Sequence, residues 1–272
     1  MPELPEVETT RRGLEPLLVG QRIRTVVVRN SRLRRPVPRR LPQLIAGATV
    51  RALARRGKYL LVDCGAGTLI LHLGMSGRLW MVNGATPATA HDHFDLVLEN
   101  GAVVRLRDPR RFGLVLWQAG DPCAHPLLAA IGPEPLSHGF DGAWLHRVTR
   151  NRDAAIKHVL MNGHVVAGVG NIYANEALFH AGVHPRTSAN RLSRERCDLL
   201  AEKIRETLEL AIGAGGSSLR DYVAADGMAG NFQSQFMVYG RAGEDCRRCG
   251  ATIRGVRQGQ RSTFFCPRCQ RR

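Results

Sequence analysis

The sequence predicts an α+β protein in three parts: an antiparallel β-sandwich or barrel led by an N-terminal helix, a helical region, and a small C-terminal cysteine ribbon. Three observations carry this reading. Between residues 22 and 118, short β-branched and often alternating runs are separated by glycine and asparagine turn signals. From about residue 143 the apolar positions take up helical spacing. Near the C-terminus four of the seven cysteines stand as two Cys-x2-Cys knuckles, at 246/249 and 266/269.

The chain opens MPELPEVE. Pro5 suits a first helical turn, and carboxylates near a helix N-terminus face the positive end of its dipole. A helix is therefore expected from Pro5 to about Leu18, with Val7, Leu14, Leu17 and Leu18 near helical spacing and Gly20 as its C-terminal cap. Pro2 and Glu3 are left unexplained by helix chemistry. Strands are expected at 22–29, 48–56, 58–64, 68–74, 78–82, 93–99, 102–108 and 112–118, and eight of them at this spacing suggest a sandwich or barrel. The Pro- and Gly-rich run 121–142 reads as an interdomain connection. Helices follow at 143–150, at 153–161 and from Asn171 to near Gly182, with GHVVAGVG interrupting the second and third. A longer helix starts at the N-cap Ser193, carries Leu200, Ile204, Leu208 and Ile212 on one face, and closes at Gly213. Residues 215–235 have little periodicity and read as a mobile loop. The expected domains are 1–132, 133–236 and 237–272.

Composition narrows the function. Lys and Arg number 39 against 23 Asp and Glu, a formal net charge of +16, and only Lys58, Lys157 and Lys203 are lysines. A habit of writing arginine explains Arg over Lys but not basic over acidic, so the excess points to a polyanion, of which nucleic acid is the commonest. No apolar run approaches the about 18 to 20 residues of a membrane span, and the N-terminus does not read as a secretory signal. The expected location is the cytoplasm, where Cys64, Cys123 and Cys197 would be reduced, buried small hydrophobes.

The tail supplies the strongest local signal. Cys246 and Cys249 are followed, after 16 residues, by Cys266 and Cys269, a zinc-ribbon spacing that offers four thiolates to one tetrahedral Zn²⁺. Four sulfurs close the shell, so the metal is structural; a disulfide pair is the competing reading. Nine arginines against Glu244 and Asp245 in residues 241–272 make the ribbon basic and favour nucleic acid over a protein partner. In VVAGVGN, Gly168 and Gly170 let the backbone approach a phosphate, and Asn171 opens a helix whose N–H groups face the anion, although the stretch is no P-loop or dinucleotide fingerprint. Lys58 stands at a strand start, Met75 in a glycine-flanked turn, His91 and His93 around an aspartate, and Arg110, Arg111 and Phe112 on a turn. Each has an ordinary structural explanation when taken alone.

Taken together, MPELPEVETTRRGLEP, RRGKYL, LGMSG, HDHFDL, DPRRFG, GVGNIYANEALF and the four-cysteine tail occur in the order of the bacterial formamidopyrimidine-DNA glycosylases, also called 8-oxoguanine-DNA glycosylases. The sequence resembles that family over essentially its whole length. The resemblance implies a β-sandwich, a helical domain with a helix-two-turn-helix element at 155–179, and a β-hairpin zinc ribbon. It implies a monomer that removes oxidised purines from damaged double-stranded DNA and then cleaves the strand, with no membrane partner.

The resemblance also gives the opening octet a chemical meaning. Loss of Met1 would leave Pro2 a secondary amine able to attack the deoxyribose C1′. A terminal amine with a pKa of about 8 is about 10% neutral at pH 7, against about 0.04% for a lysine at about 10.4. Glu3 is implied to handle protons, Glu6 to orient the terminus, and Lys58 to donate the proton for β-elimination. Arg261 matches the family's δ-elimination donor; with a pKa above about 12 it fits better as a partner of the departing phosphate. Extrusion of the damaged nucleotide leaves a hole in the stack, and Met75, Arg110 and Phe112 match the residues that fill it. Implied phosphate contacts are His91, Arg110, Arg152, Lys157, Asn171 and Arg261. Residues 217–233 match the loop over the extruded base, where Arg220 stands in place of a frequent lysine, an exchange that is not neutral. The rival readings are an endonuclease VIII-like glycosylase for oxidised pyrimidines and a non-catalytic DNA-damage binder.

Overall fold

The structure, a computed structural model, describes residues 2–217 and 230–271. The chain forms two compact units, Met1–Ala130 with Ala214–Asn231, and Ile131–Gly213 with Phe232–Arg272.

The first unit begins with helix α1 (Leu4–Leu18), whose buried Leu4, Val7, Leu14 and Leu18 face the core. Eight strands follow: β1 (Ile23–Val28), β2 (Ala52–Arg56), β3 (Tyr59–Asp63), β4 (Gly67–His72), β5 (Arg78–Asn83), β6 (Asp92–Leu98), β7 (Ala102–Arg107) and β8 (Leu114–Ala119). They form two antiparallel four-stranded sheets, in the orders β1-β6-β7-β5 and β2-β3-β4-β8. The alternation left sandwich and barrel open, and two separate sheets make it a sandwich. An apolar cluster fills it, with Ile23, Leu53, Leu60, Leu71, Phe94 and Leu106 among its members. One helix is found where none was expected: α2 (Leu41–Ile45), five residues long, forms because Pro42 sits at its N-terminal end and Leu41 and Ile45 are both buried.

The connection after β8 also holds a helical turn, α3 (Pro126–Ala129), started by a proline and capped by the His125 ring. The second unit contains α4 (Gly142–Thr149), α5 (Ile156–Leu160), α6 (Asn171–His180) and α7 (Arg194–Gly213). Ser193 caps α7, its Oγ accepting the Arg196 N–H at 3.3 Å. Helix α5 is shorter than the expected 153–161 because Ala154 and Ala155 are drawn into extended pairing: Ala155 bridges Ser188, and the Ala189 N–H donates to the Ala154 carbonyl. Helix α6 is buried from Asn171 to Phe179. It anchors the ribbon hairpin, β9 (Arg254–Gln258) with β10 (Arg261–Phe265): Asn175 Oδ1 accepts the Phe264 N–H at 2.8 Å, and Glu176 accepts those of Met237, Val238 and Tyr239 at 2.8 to 3.0 Å.

Candidate active site and metal centre

In the first unit the carboxylates of the opening octet gather at the start of α1. Glu3 is the N-cap residue in extended conformation, and its N–H donates to Glu6 Oε2 at 2.8 Å. Glu6 Oε1 accepts both the N–H and the hydroxyl of Ser217, at 2.8 and 3.0 Å. Pro2, Glu3 and Glu6 are all buried. Ser217 reaches Glu6 because Gly216, at φ +80, crosses it so closely that a Cβ there would stand 3.1 Å from the carboxylate.

Glu8 performs a different task from helix initiation alone. Its burial favours the neutral acid, but hydrogen bonds from Arg11, Arg12 and Arg55 outweigh that and hold its pKa below the usual carboxylate range. Arg55 then passes the connection on, donating to the Gly57 carbonyl at 3.0 Å. Glu8 thereby ties α1 to the turn that carries Lys58.

Lys58 is partly exposed at the end of that turn, and His72 stands in its field. Burial, reinforced by the charges of Lys58 and Arg34, lowers the His72 pKa to about 4, so the ring is neutral at pH 7. Its Nδ1 accepts the Gly74 N–H at 2.9 Å, and its ring lies 4.7 Å from that of Tyr59, its partner in the β3–β4 register. Sequence reasoning passed over His72. The available signal was that LILHLG places a histidine at the end of a strand just before the Met75 turn.

Met75 and the Arg110–Phe112 turn lie side by side. The Arg110 guanidinium sits 4.9 Å over the Phe112 ring, and Phe112 is 41% exposed, a large apolar face left in water. His91 is exposed, whereas His93 is buried with its Nε2 3.0 Å from the Asp108 carbonyl. Asp92, between them, is taken by Arg107 and Thr89.

In the second unit, Lys157 and Asn171 converge on one carbonyl. The Lys157 ammonium is fully buried and donates to the Ser262 carbonyl at 2.8 Å and to Thr263 Oγ1 at 2.6 Å. Asn171 Nδ2 donates to the same Ser262 carbonyl at 3.1 Å, while its buried Oδ1 has no hydrogen-bond partner among the described residues. The neighbouring Arg261 is exposed at the start of β10. Arg152 is also exposed, its Nε donating to the Val148 carbonyl at 2.9 Å. Arg220 lies outside the described residues.

The four cysteines meet as their spacing predicts. Their sulfurs all lie within 4.8 Å of one another, with Cys246 to Cys269 at 3.9 Å and Cys249 to Cys266 at 3.4 Å. A disulfide needs about 2.05 Å. Tetrahedral Zn–S bonds of about 2.3 Å place sulfurs about 3.8 Å apart, so the set fits one Zn²⁺ with a closed, structural shell. Around it pack Phe179, Val238 and Ile253, which joins the metal staple to α6.

Fold and site define a class first: a β-sandwich whose first helix opens with buried Pro2, Glu3 and Glu6, accompanied by a helical unit that carries a four-thiolate zinc ribbon. Its relatives give the family. Residues 1–115 match the formamidopyrimidine-DNA glycosylase N-terminal domain, 131–223 its H2TH domain, and 243–272 the zinc finger found in FPG and IleRS. The chain is 56% identical over 272 residues to the formamidopyrimidine-DNA glycosylase of Aromatoleum aromaticum, covering 100% of both chains. It is similar in structure to Lactococcus lactis Fpg in complex with an abasic site containing DNA, with a TM-score of 0.92, 37% identity, and coverage of 99% and 100%. Against the Lactococcus lactis FPG complex with a FAPY-dG containing DNA the TM-score is 0.91 at 36% identity, again covering 99% and 100%. The chain belongs to the formamidopyrimidine-DNA glycosylase family.

Proposed function

We propose that the chain is a bifunctional glycosylase and abasic-site lyase of base excision repair, acting in the cytoplasm as a monomer on damaged double-stranded DNA. The observation that carries the reaction is the N-terminal cluster: Pro2, Glu3 and Glu6 buried together, with Glu6 shared between the Glu3 N–H and Ser217. The Glu3–Glu6 contact is a reciprocal capping box, and the two bonds from Ser217 go beyond it and suit a carboxylate that orients a reacting terminus.

In this reading, removal of Met1 frees the Pro2 amine, which adds to C1′ of an oxidised purine nucleotide while the base leaves with the glycosidic electron pair. Opening of the sugar ring gives an iminium, Glu3 carrying the protons of base loss and ring opening. The iminium acidifies C2′; its proton passes to water, C2′=C3′ forms, and the 3′-phosphate departs with the C3′–O electron pair, Lys58 serving as the proton donor of this β-elimination. Loss of the 5′-phosphate by δ-elimination completes the cut, Arg261 neutralising the leaving group. Met75, Arg110 and Phe112 fill the hole in the stack, His91, Arg152 and Asn171 hold phosphates, and Arg220 belongs to the loop over the extruded base. Lys157 serves the same surface indirectly, through β10 and the Ser262 carbonyl beside Arg261. The work divides over residues 1–132, 133–236 and 237–272, with zinc holding the last in shape.

The decisive test is borohydride trapping on a duplex with 8-oxoguanine opposite cytosine, followed by mass spectrometry. An adduct through the Pro2 amine is expected, and none from chain that retains Met1, where Pro2 is held in a peptide bond. An adduct on Lys58 alone would defeat the mechanism. Faster release of oxidised thymine than of oxidised guanine from matched duplexes would defeat the substrate choice.

A further inference from the structure

Asp108 belongs to neither the amine cluster nor the metal centre, and it is wholly buried at the exit of β7. Its Oδ1 accepts the Ser76 hydroxyl at 3.1 Å and its Oδ2 the Gly113 N–H at 2.6 Å. Its main-chain carbonyl accepts the Arg111 N–H at 3.1 Å and stands 3.0 Å from His93 Nε2; its own N–H donates to the His91 carbonyl at 3.0 Å. One residue therefore joins three segments that are far apart in sequence: the Met75 turn, the Arg110–Phe112 turn and the start of β6.

Packing repeats the connection. Gly74 has φ +64, and a Cβ there would stand 2.5 Å from the Phe112 carbonyl carbon and 2.6 Å from the Gly113 nitrogen, so the two turns are in backbone contact. Among the described residues, Arg111 is the non-glycine residue with positive φ, at 55°, a conformation that needs external support. The bond from its N–H to the Asp108 carbonyl closes that turn and leaves Arg110 stacked over Phe112.

We propose that Asp108 is a positioning residue that locks the Met75 turn to the Arg110–Phe112 turn, so that the three side chains enter the duplex as one preformed wedge. This rests on the reading of those side chains as the ones that fill the vacated stack. Two independent loops would each have to be ordered on the DNA, and ordering them beforehand removes that cost from the insertion step. The lock needs a side chain whose two polar atoms hydrogen-bond the Gly113 N–H and the Ser76 hydroxyl at once. Asparagine can still accept from Gly113 N–H and turn its amide N–H toward the Ser76 oxygen, whereas alanine loses both links.

The test follows insertion directly, by stopped-flow fluorescence of 2-aminopurine placed next to 8-oxoguanine in a duplex. Asp108→Ala is expected to slow the insertion phase and single-turnover excision at least tenfold. Its cleavage of a pre-formed abasic site in single-stranded DNA, where no hole has to be filled, stays within twofold of the unaltered chain. Ser76→Ala, which removes one link, gives a smaller loss in the same phase, and Asp108→Asn restores most of the rate. Equal losses on duplex and single strand, or unaltered insertion in Asp108→Ala, overturn the proposal. Should Asp108→Ala not fold, Ser76→Ala decides, and an insertion phase unchanged in that variant is a negative result. Met75→Ala and Phe112→Ala separate the two levels: if they leave insertion intact, the wedge reading itself fails and the lock falls with it.

Discussion

Glu6 satisfies three donors with one carboxylate, the Glu3 N–H and both donors of Ser217. A glutamine there turns an N–H toward donors, and a buried donor left without an acceptor costs about 1 to 3 kcal/mol. Glu6→Gln is accordingly expected to lower the thermal midpoint and to reduce single-turnover excision about tenfold, measured on the same preparation. Unchanged excision with a lowered midpoint would leave Glu6 a helix-capping residue only. His72 illustrates the opposite use of burial. With its pKa lowered to about 4, it lends the Lys58 turn a hydrogen-bonded aromatic ring without adding a positive charge beside the ammonium.

Strands β6 and β7 carry charges where an amphipathic reading expects apolar residues. Every residue of β6 is buried, Asp92 and Asp95 included, because Asp95 pairs with Arg29 and Arg105, and Asp92 with Arg107. Arg107 and Arg78 also flank the Trp80 ring on β5, at 5.5 and 4.4 Å from its centroid. Burial by itself would raise the Asp92 pKa, but bonds from Arg107 and Thr89 lower it to about 2 from an ordinary 3.8. A group whose folded pKa is depressed contributes its stability above the unfolded value and loses it as pH falls through the folded one. Asp92 therefore contributes fully above about pH 4 and ceases to contribute by about pH 2. Urea midpoints of the unaltered chain should drop across that window. Asp92→Asn should unfold more easily at pH 7 and show a flatter profile through it; parallel profiles would mean that the pair does not set acid stability.

At the scale of the molecule, a formal charge of +16 on a DNA-repair fold makes affinity a matter of counterion release. Each neutralised phosphate adds about −0.9 to the slope of log affinity against log salt on duplex DNA, so a steep decline is expected, and a flat one would contradict the charge argument. Cys249→Ser should release zinc and weaken DNA binding through the ribbon, read by metal analysis and by titration at one salt concentration; a metal-free variant with full affinity would remove the ribbon from the interface. The strands, the four-cysteine site and the basic character were legible in the sequence, because a period of two, a Cys-x2-Cys spacing and a charge excess are local or additive properties. The N-terminal proline and its two glutamates were legible through family resemblance. Tertiary structure displays the two sheets that strand periodicity, without the family resemblance, does not distinguish from one closed barrel. It also turned the Lys157 ammonium inward onto β10, brought Ser217 to Glu6, set His72 near Lys58, and hung two turns on Asp108. These pairings join residues up to 211 positions apart, and periodicity along a chain encodes the conformation of each element but not which elements meet.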